Sequence, residues 1–255
     1  MSTETIASNT GFEAELNDWI AQEKAAIRLM SIVGTLRFDK AVELIIFRLP
    51  LHDSSVSEIL SQHDYARKVV GKNISVFNSL EVAEAILAMD LAPAKIDLGK
   101  LAYEWTDAKA SGSDVASFLN DKIGSFVNDG REATKPKDVV LYGFGRIGRL
   151  AARELISQSA KGDQLRLKAI VTRSNSELDI RKRADLLRTD SIHGVFNGTV
   201  LVDVENKALI INGHTVNMIA ANSPDEIDYT AYGINDALVI DNTGVWRDED
   251  GLGLH

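Results

Sequence analysis

No cysteine occurs anywhere in the 255 residues. That single absence removes disulfides, thiolate metal ligands and cysteine nucleophiles together. An excess of basic side chains is missing as well. The chain carries 28 Lys and Arg against 37 Asp and Glu, a net charge of −9. Broad, charge-driven nucleic-acid binding needs a basic footprint, so the balance argues against it while leaving room for a small anion pocket. Long hydrophobic runs are lacking too. The longest, around Ala41–Pro50, is interrupted by Glu43 and Arg48 and falls far short of a bilayer span. The N-terminus, Met-Ser-Thr-Glu-Thr-Ile, has no basic stretch leading into an apolar one, so no signal peptide is expected. Nor do the histidines cluster: in the helical half His52 and His63 are eleven apart and have no clustered partners, and no metal site is expected. With 45% hydrophobic and 25% charged residues, what remains reads as a soluble, cytoplasmic globular protein. Its length allows one large domain or two ordinary ones, each with a core that needs no staple.

Two halves with different periodicities follow. From Phe12 to Asn128 the pattern is mainly helical. Phe12, Leu16, Trp19, Ile20 and Ile27 recur near helical spacing, with Glu and Lys between them. Ser54 or Ser55 is placed to cap a helix through Ile59, Leu60 and Tyr65, and Ser79 to cap one through Val82, Ala85, Ile86 and Met89 that ends before Pro93. Leu98–Trp105 and Ser113–Phe126 predict two further helices. Val42–Leu51 is ambiguous between helix and strand; the reading leans to a helix at its start, broken by Pro50. Trp19 and Trp105 read as core anchors. The polar stretch Asn128–Lys137, with its Gly and Pro, predicts a linker. This sets a mainly α-helical domain over 1–134 and an α/β domain over 135–255.

In the second half Val139–Tyr142 predicts a short strand, Leu150–Ser159 a helix, Leu165–Thr172 a buried parallel strand and Arg181–Leu187 a short helix. Three β-rich runs, Gly198–Val204, Ala208–Asn212 and His214–Ala221, are joined by turns at Glu205-Asn-Lys and Asn212-Gly213. Ala237–Asp241 predicts a last parallel strand. This is the first part of a Rossmann-type dinucleotide fold. The chemistry sits where Gly143-x-Gly145-x-x-Gly148 follows the first strand and opens a helix. In that context Gly143 makes the sharp exit, Gly145 lets the backbone approach a pyrophosphate, and Gly148 lets helix and strand pack closely. The helix N-terminus offers free N–H groups to the phosphates. At the end of the second strand, where an acid usually holds the ribose hydroxyls, the sequence has Val171-Thr-Arg173-Ser-Asn. Arginine there suits a 2′-phosphate, or is a solvated loop residue. NADP use, or dual use with NAD, is the expectation.

These residues resemble a known family. Tyr142-Gly-Phe-Gly-Arg-Ile-Gly-Arg149 is similar to the opening of phosphorylating glyceraldehyde-3-phosphate dehydrogenases. Three further segments match in order: Thr189-Asp-Ser-Ile-His-Gly194 with Phe196-x-Gly198-Thr-Val, then Ile210-Ile-Asn-Gly, then Asp241-Asn-Thr-Gly-Val-Trp246. The resemblance covers about residues 138–251. It implies a pyrophosphate turn lined by Phe144, Gly145, Arg146 and Ile147, with the N–H groups of Arg146 and Ile147 donating. Arg173 and Ser174 would lie near the adenosine ribose, Asn222 at the adenine edge, and Asn242, Thr243 and Gly244 under the second ribose. His193 is implied to be structural.

The family's Ser-Cys-Thr-Thr-Asn segment, its general-base histidine and its phosphate-binding side chains would lie beyond His255, so the chain is expected to be truncated before its catalytic half. No catalytic residue is assigned within it. The first 130 residues are similar to the helical extension of a longer bacterial subgroup, and a parent of roughly 450–480 residues is expected. The implied partners are NAD or NADP and, in the full-length protein, an aldehyde phosphate, with a homo-oligomer, tetrameric by resemblance, and neither nucleic acid nor membrane. A related erythrose-4-phosphate dehydrogenase and a non-catalytic nucleotide-sensing module stand as alternatives. The last strand, Ala237–Asp241, is expected to lie at a sheet edge open to pairing.

Overall fold

A computed structural model describes residues 3–127, 136–158 and 165–255, with side chains from residue 11 onward. The expected linker lies almost wholly outside these residues. The chain divides into two compact units, Met1–Ala133 and Thr134–His255.

The first unit opens with helix α1 (Thr3–Lys40), followed by strands β1 (Val42–Ile46) and β2 (Leu49–Pro50). Helices α2 (Val56–Val70) and α3 (Val76–Ala88), strand β3 (Ala94–Asp97), and helices α4 (Leu98–Ala110) and α5 (Val115–Ile123) complete it. The lean towards helix at Val42 is overturned. Val42, Leu44 and Ile46 alternate into the core, and β1 pairs in parallel with β3, some fifty residues on. Phe47 and Arg48, both with positive φ, turn β1 back into β2. Asp97 joins these parts, since its Oδ1 accepts from Phe47 N at 3.1 Å and from Lys100 N at 3.0 Å, the latter capping α4.

Ser55 caps α2, one of the two serines expected, in a capping box with Glu58. The cap of α3 is Ser75, paired with Asn78, and not Ser79. Ser79 lies inside that helix, fully buried, 2.9 Å from Nε2 of the buried His63. Trp105 is a core anchor, 2% exposed, with Nε1 donating to Glu81 at 2.9 Å. Trp19 is not, at 47% exposed.

The second unit is built on strands β4 (Lys137–Tyr142) and β5 (Leu165–Thr172), flanked by helices α6 (Arg146–Ser157) and α7 (Glu177–Arg188). A two-stranded ribbon, β6 (Thr189–Asp190) with β7 (Gly194–Val195), leads to β8 (Val200–Asp203), β9 (Ala208–Ile211) and β10 (His214–Ala220). Strand β11 (Leu238–Asp241) and a short helix, α8 (Glu249–Leu252), close the chain. The sheet runs β11-β4-β5-β10-β9-β8. Its first four strands are mutually parallel and β9 is antiparallel to both neighbours. Each face carries its own apolar layer, as expected of a doubly wound sheet. Val139 and Leu141 share a cluster with Ala152, Ile156, Ile180 and Leu187 of α6 and α7. Val140 and Tyr142 face the other way, among Val171, Ile219 and Ile234. Asn212 and Gly213 both take positive φ between β9 and β10, as the dipeptide predicts. Strand β11 forms one edge of the sheet.

Candidate functional site

The parallel strands β4, β5, β10 and β11 all end on the side where the glycine turn leaves β4. Gly143 has φ +96, a conformation that L side chains rarely adopt, and its N–H donates to Val171 O at 2.9 Å. A Cβ there would stand 2.9 Å from Thr243 Cγ2. At Gly148 a Cβ would meet Gly143 O at 2.5 Å and Asn242 Oδ1 at 2.7 Å. These two glycines lock strand exit, helix start and the end of β11 together. Gly145 differs, because it is exposed and a Cβ would find nothing within 4 Å. It is also the N-cap of α6, and no side chain caps that helix. The first-turn N–H groups, which have no intrahelical acceptor, therefore face open space with the positive end of the helix dipole behind them.

A cavity of about 310 Å³ opens in front of this turn. The ends of the four parallel strands wall it, and Arg173, Arg183, Asn222, Thr243 and Trp246 reach into its lining. Among the described residues no acidic side chain contributes to the lining, in a chain of net charge −9. The local field is positive: two guanidinium groups and a helix N-terminus converge on one hollow. Arg173 is exposed and makes no hydrogen bond or ion pair among the described residues. Arg183 is half-buried, with Nε enclosed and without a hydrogen-bond partner among the described residues. Burial pushes its guanidinium below the usual value, and the nearby positive charge of Arg149 pushes the same way against Asp179.

Of the residues expected from the sequence, Gly143, Phe144, Gly145, Arg173, Asn222 and Thr243 line this cavity. Phe144 contributes through its backbone, since its side chain is buried in the core of the unit. Arg146 and Ile147 do not line the cavity; both are exposed on the first turn of α6. Gly148 and Asn242 lie behind the turn, where Asn242 Oδ1 is buried without a hydrogen-bond partner among the described residues. Gly244 follows Thr243 with φ +71, and its carbonyl accepts from Arg247 Nε at 2.7 Å. Ser174 is turned away from the cavity lining: its hydroxyl donates to Asp179 Oδ2 at 2.5 Å, beside Ser176 on the same oxygen. Together they fasten the start of α7. The sequence reading missed Arg183 and Trp246. Arg183 lay in the basic run Arg181-Lys-Arg183 of the helix after the second strand, and that position was the available signal.

The segment around Asp190 supports the turn from outside the cavity. Asp190 is buried, accepts from Arg149 Nη2 at 2.7 Å, and takes the backbone N–H groups of Ile192 and His193 at 2.9 and 3.1 Å. These donors, the Arg149 guanidinium first, hold its carboxyl well below the ordinary range. Arg149 sits in α6 one turn past Gly145, so this ion pair ties the N-terminal end of α6 to the β6–β7 ribbon. His193 takes part through its backbone, donating to Asp190 and accepting from Arg153.

Comparison with known proteins places these features among relatives. Residues 137–249 match the family model described as glyceraldehyde 3-phosphate dehydrogenase, NAD binding domain. A glyceraldehyde-3-phosphate dehydrogenase-like protein of Pseudomonas aeruginosa is 42% identical over 233 residues, 89% of this chain and 50% of that protein. The chain thus spans about half the length of that relative, and a match of this extent runs well into the first unit. The glyceraldehyde-3-phosphate dehydrogenase of Thermotoga maritima is 33% identical over 117 residues, covering 46% of this chain and 32% of its own. The chloroplastic form A of Zea mays is 31% identical over 142 residues, 55% and 33% of the two chains.

Proposed function

Residues 137–249 belong to the glyceraldehyde 3-phosphate dehydrogenase family as its NAD-binding domain, and on that premise we propose that the cavity at the glycine turn holds a nicotinamide dinucleotide. One observation carries the assignment: the uncapped N-terminus of α6 opens into a hollow lined by two arginines and no acid. A pyrophosphate is the group that such a field and such free N–H donors select. The fit extends to Gly145, where open space stands in place of a Cβ and the backbone can approach a phosphate closely.

On this reading Gly143, Phe144, Gly145, Arg146, Ile147 and Gly148 form the pyrophosphate turn, with the N–H groups of Arg146 and Ile147 donating. Arg173, with Ser174 behind it, lies by the adenosine ribose, Asn222 at the adenine edge, and Asn242, Thr243 and Gly244 beneath the second ribose. Arg183 joins Arg173 at the adenosine end. Among the described lining residues there is no carboxylate to hold the ribose hydroxyls, and two guanidinium groups favour a 2′-phosphate. We therefore propose that the site accepts NADP as well as NAD.

The nicotinamide, when bound, supplies the hydride acceptor; the protein's own part in these residues is to bind and orient it. For the whole protein we propose phosphorylating oxidation of an aldehyde phosphate such as glyceraldehyde 3-phosphate, in a cytoplasmic homo-oligomer. The 255-residue chain has no cysteine to act as nucleophile, and we propose that it binds cofactor without turnover. An enzyme-like rate of glyceraldehyde-3-phosphate oxidation by this chain would overturn that part.

Calorimetric titration with NAD and NADP tests the binding reading. Both should bind. Arg173→Gln and Arg183→Gln should each weaken NADP by about tenfold, the worth of one charge-assisted contact, and NAD by no more than about twofold. Equal losses for the two cofactors would remove the 2′-phosphate assignment, and binding of neither would remove the cofactor site.

A further inference from the structure

Asparagine followed by glycine is the step of a polypeptide most open to loss of the side-chain amide, because glycine puts no Cβ in the way of its own nitrogen. The chain holds this dipeptide twice, at Asn197-Gly198 and Asn212-Gly213. The dipeptide alone does not separate them, and neither does exposure, since both asparagines are exposed. Their hydrogen bonds do. Asn212 is held to Thr199 at two points: its N–H donates to Thr199 O at 3.0 Å, and its Oδ1 accepts from Thr199 N at 2.7 Å. Its side-chain amide also lies against Gly198, where a Cβ would stand 2.5 Å from Oδ1 and 2.9 Å from Nδ2. To reach Gly213 N, this side chain would have to leave Thr199 N and Gly198.

Asn197 has no such restraint. Its side chain makes no hydrogen bond or ion pair among the described residues. It is the middle residue of a three-residue turn, closed by Gly198 N donating to Phe196 O at 3.0 Å. Opening that bond frees the Gly198 nitrogen on the exposed connection between β7 and β8. We propose that Asn197 is a site of spontaneous deamidation in the folded chain, and that the fold protects Asn212.

The Gly198 nitrogen, having lost its proton to hydroxide, attacks Cγ of Asn197. The new N–C bond closes a cyclic imide, the Cγ–Nδ2 bond breaks, and ammonia leaves with a proton taken from water. Water then opens the imide at either carbonyl and gives aspartate or isoaspartate. In sum a water is consumed and an ammonia released, with no change of oxidation state. Both products add a negative charge at position 197, and isoaspartate also lengthens the backbone between the β6–β7 ribbon and β8. Neither Asn197 nor Gly198 lines the cavity at the glycine turn, so the inference is independent of the cofactor assignment.

The full chain is incubated in mildly alkaline buffer, folded and in urea, and fragmentation mass spectrometry of its peptides locates each converted amide. In the folded chain Asn197 should convert about tenfold faster than Asn212, which must first give up its contact with Thr199 N. In urea the two positions should convert at comparable rates. Asn197→Gln should abolish the acidic species that accumulates on anion exchange. Its urea midpoint should match that of the unmodified chain, because the Asn197 side chain holds nothing in place. Equal rates at the two positions in the folded chain would overturn the proposal. So would retention of both amides there, or faster conversion at Asn212. A preference for Asn197 that persists in urea would overturn the part assigned to the fold.

Discussion

Gly145 and Gly148 stand three residues apart on one turn and have opposite reasons to be glycine. A methyl group at Gly148 would press on Gly143 O and Asn242 Oδ1 inside normal contact distance. Gly148→Ala is expected to cost about 1–3 kcal/mol through overpacking, read as a lowered urea midpoint. Gly145→Ala meets only open space, so the same measurement should change by less than about 1 kcal/mol. If Gly145 borders the pyrophosphate as proposed, its loss should appear instead in the titration with NAD. Equal destabilisation by both substitutions would contradict the division of labour. The motif made both glycines legible in the sequence, because spacing after a strand determines the turn. Arg183 was not legible. Its place in the cavity depends on how α7 rotates over the sheet, and that is fixed by Ile180, Ala184 and Leu187 packing below it.

At the level of elements, what was legible depended on how local the determining interactions are. Strand β5 falls at Leu165–Thr172 as expected, since an unbroken apolar run suits a strand covered on both faces. Strand β1 was mistaken because its partner Ala94–Asp97 lies far along the chain, and its tight turn is made by Phe47-Arg48 without a turn-forming residue. The α3 cap was displaced by one turn because two serines, Ser75 and Ser79, both precede apolar helical positions. Packing separates them, since Ser79 faces the core and serves His63. Ser75→Ala should therefore cost about 1 kcal/mol, the usual worth of an N-cap. Ser79→Ala leaves one buried ring nitrogen without its partner and should cost about 1–3 kcal/mol. Thermal melts of the two variants in parallel decide it, and a larger loss for Ser75→Ala would reverse the assignment. Trp19 shows the remaining limit: periodicity marks an apolar face without saying what lies against it.

For the molecule as a whole, the pH response of the first unit follows from its interior. Burial pushes the His63 imidazole below its ordinary value, against smaller opposing contributions from the Ile59 carbonyl and Asp64. Nδ1 lies 2.7 Å from Ile59 O, an acceptor, so this nitrogen carries the proton and Nε2 accepts from Ser79. His52 is lowered as well, by burial first and by Arg37 next. With folded values below the unfolded value near 6.5, both rings are neutral in either state above that pH. As pH falls beneath it the unfolded chain takes up protons that the folded chain refuses, and stability declines until the folded values are reached. Unfolding followed by Trp105 fluorescence in a Trp19→Phe, Trp246→Phe background, which leaves Trp105 as the one tryptophan of the sequence, should show a midpoint that drops between pH 7 and 5. His63→Gln should flatten that slope, and an unchanged slope would assign the effect elsewhere. Asp190 acts in a different window, its contribution being lost only below about pH 4, where a free carboxylate begins to protonate.

The two units bury separate sets of side chains, one drawn from residues 25–123 and the other from 139–234. Mutational load is therefore counted in two accounts. Substitutions within one core compound with each other, because they share neighbours, while those in different cores add independently. A sequence drifting under selection for cofactor binding alone could exhaust the stability margin of the helical unit while the nucleotide cradle kept its own intact.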